Sequence, residues 1–462
     1  MNRQQISRRK FLGRAAGAAF AVTIVPPHVL GGEPGKAPSD KLNIACVGVG
    51  GRAGAHVDAA AGQNLVAMCD VDKGRLEGQA KKHPKAKTYT DYRKMLDEVA
   101  KEIDAVFVAT PDHHHAFATM AALKLGKHVY CEKPLTHSVW EARQVAEAAR
   151  NAKVATQMGN QGLSTEGPRL LTEWIAAGAI GKVTEVHIWT DRPGRWDEKK
   201  KAGDATPAQR VWLPGGWWPQ GFNERPANKP VPGNLEWDQW IGPAPYRDYH
   251  DHLHSFAWRG WWDFGTCALG DIGCHAMAPI FMALKLGYPT AIEAETSGNF
   301  PESGPNWSII RYEFPARGDM APVKLVWYDG GKLPPRPEEL ERDRQWGDNG
   351  TLLVGDKGKM IYDGNPRIIP EAKMKEFKLP EKTLPRVPGG DHHQDWFIAC
   401  KGGRPACSNF DFAGPLAEAV LAGNVAIRAG KRLEWDGPNM KATNAPEASQ
   451  YVRREYRKGW SL

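Results

Sequence analysis

Asp271 and His275 are acid–base side chains that lie four residues apart in the chain. On a helix, this spacing places both side chains on one face. A carboxylate beside an imidazole raises the imidazole pKa and orients the ring, which suits a group that takes or gives a proton. The spacing alone equally allows a structural Asp–His pair without catalytic function.

A glycine-rich turn lies far upstream of this pair. An apolar, strand-like run over residues 42–47 leads into Gly48 and Gly50, and Ala53 follows three places on. This G-x-G-x-x-A spacing is typical of dinucleotide-binding turns. We expect Gly48 to make the turn, Gly50 to admit a pyrophosphate, and Ala53 to let the following helix pack closely. The helix start supplies free N–H groups for the phosphates.

An acidic residue ends the next predicted strand. Asp70 follows the glycines by about 20 residues, the position of the ribose-binding acid in dinucleotide sites. A carboxylate accepts hydrogen bonds from ribose hydroxyls and repels the 2′-phosphate of NADP, so Asp70 favours NAD. Asp72 is the second candidate if the strand ends later.

Strands and helices alternate from residue 40 to residue 160, which predicts a parallel, doubly wound sheet. Ligands of such sheets bind at the carboxyl ends of the strands. Polar residues follow two of these ends, at 110–115 and at 132–134. Lys133 could hold a substrate hydroxyl or exchange a proton with it, or it could be an ordinary surface lysine before a helix-starting proline.

These motifs together resemble the Gfo/Idh/MocA oxidoreductase family. The similar stretches are residues 48–52, 109–113 and 132–134, of which Glu132-Lys133-Pro134 is the most specific. The resemblance implies an α/β fold with an N-terminal Rossmann domain, whose sheet is parallel and doubly wound, and a C-terminal α/β domain with an open, mainly antiparallel sheet. It also implies that Lys133, Asp271 and His275 are catalytic and face the nicotinamide of NAD.

The predicted site follows from these motifs. We expect cofactor contacts from Gly48, Gly50, Gly51, Arg52, Asp70, Thr110, Pro111, His113, His115, Glu132 and Lys133. We expect substrate contacts from Lys133, Asn160, Arg192, Arg259, Trp262, Asp271 and His275. No metal is expected. The histidines at 113–115 are consecutive on a predicted helix and point in different directions, and no ladder of cysteines or acids accompanies them. Residues 249–254 hold three histidines and Asp251 and could bind a metal, but cleft or core positions are favoured.

The chain is predicted to have four parts: a signal segment (1–36), the Rossmann domain (37–160), a C-terminal substrate and oligomerisation domain (161–440) and a tail (441–462). The signal segment contains Arg8 and Arg9 before a weakly apolar run, as in twin-arginine export signals. It predicts an extracytoplasmic, possibly tethered protein without a membrane span in its mature part. The rest of the chain carries a net charge of only +3, too little to indicate nucleic-acid binding.

Residues 191–262 form a long irregular region rich in tryptophan. The tryptophans could stack on sugar rings or form a small core beneath the loop. Those in the region are Trp196, Trp212, Trp217, Trp218, Trp237, Trp240, Trp258, Trp261 and Trp262. Alternating strands follow near 291–300, 306–315 and 321–329, and the uncovered face of their sheet could pair with another subunit to form a homo-oligomer.

Three functions remain open at this stage. The first is NAD-dependent hydride transfer from a hydroxyl carbon of a carbohydrate or polyol. The second, which some relatives of the family perform, is a redox-assisted glycosidase cycle with no net turnover of NAD. The third is a non-catalytic protein that binds NAD or sugar; the presence of Asp70, Lys133, Asp271 and His275 argues against it.

Overall fold

The computed structural model describes residues 40–194 and 217–462. The predicted signal segment, Trp196 and Trp212 therefore lie outside the described residues. Residues Leu42–Leu462 form one compact unit.

The first sheet is the predicted Rossmann sheet, with six parallel strands. They are β1 (Asn43–Val47), β2 (Asn64–Cys69), β3 (Lys87–Tyr89), β4 (Ala105–Val108), β5 (His128–Glu132) and β6 (Thr156–Gly159). The helices between them are α1 (Ala53–Gly62), α2 (Lys73–Lys82), α3 (Tyr92–Val99), α4 (Asp112–Lys124) and α5 (Val139–Ala152). The strand order β3-β2-β1-β4-β5-β6 reverses between β1 and β4, where doubly wound sheets open a crevice for ligands.

Burial explains why these segments form central strands. All four residues of β4 are buried, as expected for a strand covered on both faces. Three of these helices, α2, α3 and α5, begin at side-chain caps. At α5, Ser138 accepts from the N–H of Glu141, whose carboxylate accepts from the N–H of Ser138. This capping box, five residues after Lys133, fixes the start of α5.

The second sheet has nine strands and is mainly antiparallel, with one parallel pair, β7–β10. Its strands are β7 (Val183–Trp189), β8 (Ala291–Thr296), β9 (Ser308–Phe314), β10 (Val323–Tyr328), β11 (Gly350–Gly355), β12 (Lys359–Tyr362), β13 (Pro366–Ile369), β14 (Leu433–Asp436) and β15 (Lys441–Ala442). Buried residues alternate with more exposed ones along β9, so one face of this sheet is covered, as predicted. The predicted fold class is confirmed.

Eight helices complete the described part of this region. They are α6 (Glu166–Ala176), α7 (Trp237–Ile241), α8 (Cys267–Ala276), α9 (Ala278–Leu284), α10 (Glu371–Glu376), α11 (His392–Cys400), α12 (Phe410–Ala429) and α13 (Ser449–Val452). Among the described helices, α12 alone is long and apolar enough to cross a membrane by itself, and the bent pair α8–α9 passes the same test. Because 83% of the apolar window of α12 is buried, it is a core helix.

The long irregular region packs mostly as a small core of its own. Its buried side chains include Trp237, Trp240, Trp258, Trp261 and Phe264. Trp218 and Trp262 are buried as well, whereas Trp217 is 45% exposed. Of the two alternatives for these tryptophans, the structure therefore favours the core beneath the loop for most of them.

Residues 228–262 of this region, which we name the strap, lie across the edge of the Rossmann sheet. The N–H of Glu236 donates to the carbonyl of Val71, and the N–H of Lys73 donates to the carbonyl of Asn234, both over 2.9 Å. The strap therefore borders the crevice at the carboxyl ends of β1 and β2.

Residues 441–462, predicted as a tail, contain β15 and α13 and reach back to the Rossmann domain. Arg454 forms an ion pair with the buried Glu141 of α5, with 2.8 Å between Nε and Oε1. Arg457 pairs with Asp238 of the strap over 2.6 Å. These contacts join the end of the chain to both neighbouring parts.

Candidate active site

The glycine turn adopts a backbone that needs glycine. Gly48 has φ = +86°, and a Cβ there would lie 2.5 Å from the carbonyl oxygen of Ala109 on the next strand. Gly51 has φ = +57° with open space around it. A Cβ on Gly50 would lie 2.4 Å from the flexible side chain of Arg75. Arg75 is not among the predicted site residues. The turn therefore exposes backbone at the mouth of the crevice, which fits a pyrophosphate.

Asp70 lies at the end of β2 and is tied to the glycine turn. Its carboxylate accepts from the N–H of Val49 and from the N–H of Asp72, each over 2.9 Å. Burial raises its pKa despite these two hydrogen bonds. Each oxygen keeps a second lone pair, so Asp70 can still accept from ribose hydroxyls.

Asp72, the second candidate, is occupied by structural contacts. It caps α2 by accepting from the N–H groups of Gly74 and Arg75. It also accepts from the amide of Asn234 over 2.8 Å and lies 2.9 Å from the ring of His254, both on the strap. The strap is therefore attached to the helix that follows the ribose-binding acid.

A cleft runs from the glycine turn to the strap. It is lined by Val47, Gly48, Gly50, Gly51, Cys69, Asp70, Val71, Arg75, Thr90, Tyr92, Ala109, Thr110, Pro111, His114, Gln239, Trp240, His254, Ser255, Phe256, Trp258 and Arg259. The predicted cofactor residues Gly48, Gly50, Gly51, Asp70, Thr110 and Pro111 thus lie in one cleft. On the strap wall, Arg259 was an expected substrate contact and Trp240 and Trp258 were noted as loop tryptophans, whereas Gln239, Ser255 and Phe256 had no recognisable sequence signal.

The adjacent histidines 113–115 do not all line the cleft, which corrects part of the prediction. The ring of His113 is buried against the carbonyls of Trp240 and Phe264. The ring of His115 lies 2.6 Å from the carbonyl oxygen of Pro134 and 2.8 Å from that of Thr110. Both rings are consumed by backbone acceptors, so His113 and His115 shape the site from behind. His114 is the one of the three that reaches the cleft.

Glu132 sits in a buried polar network at the end of β5. Its carboxylate lies 2.9 Å from the ring of His56 and accepts from Gln161 over 2.7 Å. Arg52, half exposed beside the glycine turn, approaches it to 3.6 Å. Burial alone would raise the pKa of Glu132, but His56, Lys133 and Arg52 hold it below its usual range. Glu132 is therefore a carboxylate that fixes the base of the Lys133 loop.

Lys133 and Asp271 meet although they come from different domains. The ammonium of Lys133 donates to Oδ1 of Asp271 on α8. Nε of Arg259 donates to the same oxygen over 3.2 Å. Burial alone would raise the pKa of Asp271, but the charges of Lys133 and Arg259 lower it to about 2. The carboxylate of Asp271 thus joins two other predicted site residues, Lys133 and Arg259.

His275 lies one turn further along α8, and its environment differs from the prediction. Oδ1 of Asp271 accepts from Lys133 and Arg259. Within the described residues, the ring nitrogens of His275 have no hydrogen-bond partner. Burial and the charge of Lys133 lower the pKa of His275 to about 4 rather than raising it. The ring is therefore neutral at pH 7, and its nitrogens are not occupied by other protein groups.

Asn160, Arg192 and Trp262 occupy different surroundings. Asn160 is buried and donates to the carbonyl of Cys274 on α8 over 3.2 Å, so it positions the helix that carries His275. The guanidinium of Arg192 lies 3.5 Å from the ring centroid of the exposed Trp217. Trp262 is buried and donates to the carbonyl of Phe300. No contact within the described residues joins Arg192 or Trp262 to Lys133.

One group of possible metal ligands occurs among the described residues: His392, Asp395 and Cys407, within 4.8 Å of one another. Both ring nitrogens of His392 already lie within hydrogen-bond distance of Ser164 and Met158. Asp395 accepts from the N–H of Cys407 and pairs with Arg404. These atoms are engaged with protein partners, so the group is a structural network.

Comparison with curated relatives shows similarity to enzymes of sugars and polyols. The inositol 2-dehydrogenase of Salmonella typhimurium (strain LT2) is 31% identical over 152 residues, 32% of this chain and 45% of the relative. The 1,5-anhydro-D-fructose reductase of Ensifer adhaerens is 32% identical over 130 residues, 28% of this chain and 38% of the relative. The chain thus matches less than half the length of these relatives.

Solved structures share the fold over most of the chain. The WlbA dehydrogenase from Bordetella pertussis, solved with NADH and UDP-GlcNAcA, has a TM-score of 0.56 at 16% identity, with coverage of 86% of this chain and 99% of that one. A levoglucosan dehydrogenase, solved with NADH and levoglucosan, has a TM-score of 0.52 at 17% identity, with coverage of 85% and 98%.

Two family models match the sequence itself. Residues 42–160 match an oxidoreductase family with an NAD-binding Rossmann fold. Residues 217–462, more than half of the chain, match the C-terminal alpha/beta domain of the same family. The chain belongs to the Gfo/Idh/MocA family of NAD-binding oxidoreductases.

Proposed function

We propose that this protein is an NAD-dependent dehydrogenase that acts on a hydroxyl group of a carbohydrate or polyol. The observation that carries the proposal is the shared carboxylate of Asp271, which draws Lys133 and Arg259 together near the cleft of the glycine turn. The names of the relatives supply the substrate class. When bound, NAD supplies the hydride acceptor.

The residues of the chain suit different parts of the cofactor. The glycine turn and the start of α1 offer backbone N–H groups for the pyrophosphate. Asp70 offers lone pairs to the ribose hydroxyls, and its negative charge disfavours a 2′-phosphate. Arg52 and Glu132 lie where the turn meets the Lys133 loop. The described residues therefore fit a dinucleotide.

The proton-handling roles follow from charge and hydrogen bonding. His275 is neutral, and its ring nitrogens have no partner in the described part of the chain, so it is the base that takes the hydroxyl proton. Lys133 donates hydrogen bonds and stabilises the negative charge that grows on the substrate oxygen. Asp271 and Arg259 position Lys133 and are close enough to contact further hydroxyls.

A direct assay tests the proposal. The purified full-length chain is mixed with NAD and, in turn, with inositols, aldoses and polyols, and NADH is followed by its absorbance. We expect turnover with at least one of them, and loss of that turnover in Lys133→Ala. Absence of turnover with every hydroxyl substrate, in protein that binds NAD normally, would overturn it.

A second candidate is glycoside cleavage without net turnover of NAD. The strap favours it, since His254, Phe256 and Trp258 form one wall of the cofactor cleft and His254 is held by Asp72. A cofactor covered in this way would leave slowly. Such an enzyme would release sugar from a glycoside while the NADH concentration stays constant.

Retention of the cofactor distinguishes the two candidates. We expect the double variant Asn234→Ala/His254→Ala, which lacks both strap contacts to Asp72, to release NAD about tenfold faster, as the loss of one net hydrogen bond predicts. Asn228→Ala, which removes an exposed strap contact to Asp248, is the control. If the wild-type protein exchanges NAD within one turnover, the redox-neutral cycle loses its support.

A further inference from the structure

A second cavity lies on the far side of the segment that leads into α8. It has a volume of about 200 Å³, and its walls come from the start of α5, residues 262–266, α12 and residues 450–455. Among the described residues it shares no lining residue with the cofactor cleft. The cavity is therefore separate from the site described above.

The guanidinium of Arg428 stands in this cavity with its edges free. Its central carbon lies over the rings of Tyr451 and Trp262, at 4.2 and 5.3 Å from the ring centroids. Within residues 40–194 and 217–462, no side-chain donor of Arg428 has a hydrogen bond and no carboxylate lies within ion-pair distance. The N–H fork of this guanidinium is therefore available to an oxyanion, which it can bind through two parallel hydrogen bonds.

Three other residues that line the cavity carry buried polar atoms without a partner in the described residues. Arg454, whose side chain is partly exposed, uses Nε and Nη2 for Glu141 and the carbonyl of His113, while its buried Nη1 has no partner. Asn424 is only 8% exposed, and its amide donates to the carbonyl of Thr266 over 2.9 Å. Its Oδ1 has no partner, and neither has Nε2 of His137. The cavity is thus lined by two arginines with unpaired donors, one unpaired amide oxygen and one unpaired ring nitrogen.

The acidic groups at the cavity form no ion pair with Arg428, although the charge of Asp263 partly offsets the lowering of its pKa by burial. Asp263 is engaged by Arg225 and Arg247, which also pair with Glu302. Glu141 is engaged by Arg454. Glu455 lines the cavity but is exposed, so water screens its charge. A partly buried cation without a counterion is costly, and an anionic ligand removes that cost.

We propose that this cavity binds a small oxyanion that carries a hydroxyl group, such as a hydroxy acid or a phosphate. The oxyanion accepts from Arg428 and from Nη1 of Arg454, and its hydroxyl donates to Oδ1 of Asn424. A simple anion without a hydroxyl leaves that buried oxygen unpaired, which costs affinity. The site is independent of the proposed dehydrogenase activity.

Calorimetric titration of the full-length protein tests this site. The probes are glycolate, inorganic phosphate and acetate at matched ionic strength; glycolate and acetate differ by one hydroxyl. We expect saturable binding of glycolate or phosphate and weaker binding of acetate. Tighter binding of glycolate identifies a hydroxy-acid site, and tighter binding of phosphate identifies a phosphate site.

Variants locate the binding. Arg428→Gln should weaken it about tenfold, the worth of a charge-assisted hydrogen bond. Arg428→Lys keeps the positive charge but loses the paired N–H donors of the guanidinium, so it should weaken anion binding severalfold. An unchanged melting temperature of this variant would show that the protein is still folded. Arg453→Gln, at an exposed neighbouring arginine that lies over Trp140, is the matched control and should not change it.

Lys133→Ala separates this cavity from the catalytic cluster and should leave the binding unchanged. Three results would overturn the proposal: equal binding of all three anions, unchanged binding in Arg428→Gln, or no saturable binding of any probe. Loss of binding in Lys133→Ala would place the anion in the catalytic cluster and would overturn it too.

Discussion

Lys133 and Asp271 are 138 residues apart in the chain, yet the ammonium of one donates to the carboxylate of the other. The side chains are only 15% and 13% exposed, so the contact is largely shielded from water. It joins the loop after β5 to helix α8 and aligns the two domains. A substrate hydroxyl that reaches Lys133 therefore lies near the helix that carries His275.

The first prediction concerns these two proton-handling residues. Lys133→Ala and His275→Ala should each lower kcat by about 10²–10⁴-fold, the usual effect of losing an acid–base group. The double variant should lose much less than the product of the two losses, because residues that act together are not additive. Steady-state kinetics on the best substrate from the screen measures both effects.

Lys124→Ala, at an exposed lysine near the end of α4, is the control for this series and should keep normal kcat. NAD affinity should change little in the Lys133 and His275 variants, because the glycine turn and Asp70 hold most of the dinucleotide. Near-normal kcat in the single variants would contradict the assignment.

Local sequence patterns were enough to predict most of the fold and much of the cofactor site. The glycine turn and Asp70 lie about 20 residues apart on consecutive elements, so their geometry follows from one βαβ unit. The strands β11 to β13 were not predicted. They are short, and their pairing partners are set by the sheet as a whole rather than by a local pattern.

The positions of several site residues depend on tertiary contacts and could not be predicted from the sequence. His113, His114 and His115 are identical neighbours, and each ring lies against a backbone carbonyl from a distant part of the chain, yet only His114 lines the cleft. Asp271 was expected to orient His275, but it forms its hydrogen bond with Lys133 instead. No sequence motif predicts that Arg75, His56 and the strap border the site. Their positions depend on contacts with chain segments that are far away in sequence.

The second prediction is the pH dependence of the reaction. Burial and Lys133 lower the pKa of His275 to about 4, so its base form persists well below the usual histidine range. The acidic limb of kcat/KM against pH should therefore lie near pH 4 rather than about 6.5, the value of an unperturbed histidine. Glu434→Gln, at an exposed side chain of β14, should give the same profile. A limb near 6.5 would show that another group is the base.

The third prediction is preference for NAD over NADP through Asp70. Calorimetry should show NAD bound at least about tenfold more tightly, a difference of about 1.4 kcal/mol. Asp70→Asn keeps the shape of the side chain but removes its negative charge, so the difference in affinity between NAD and NADP should become smaller. Asp58→Asn, at an exposed acid of α1, is the control. Equal affinity for both cofactors in the wild-type protein would contradict the role of Asp70.

The fourth prediction concerns export, which we propose is directed by residues 1–36. Replacing Arg8 and Arg9 by lysine keeps the charge but removes the paired arginines that twin-arginine signals require. The variant should remain in the cytoplasm, while the wild-type chain reaches an extracytoplasmic fraction. Lys10→Arg should leave export unchanged. Unaltered export of the lysine variant, measured by fractionation and immunoblotting, would refute the signal.

The last prediction links a buried histidine to stability. His250 is almost fully buried, neither ring nitrogen has a partner in the described residues, and burial lowers its pKa to about 4. In the unfolded chain the pKa returns to about 6.5, so between these values the unfolded state binds more protons. The free energy of unfolding should therefore decrease as the pH falls from about 6.5 to 4, by at most about 1.4 kcal/mol per pH unit from this residue.

His250→Phe removes this titration while keeping an aromatic ring against Trp261. Its urea-unfolding free energy should depend less on pH across that window than the wild-type value does. His83→Phe, at a partly exposed histidine after α2, is the control and should keep the wild-type slope. An unchanged slope in His250→Phe would mean that folding does not alter the protonation of His250, and would contradict the lowered pKa.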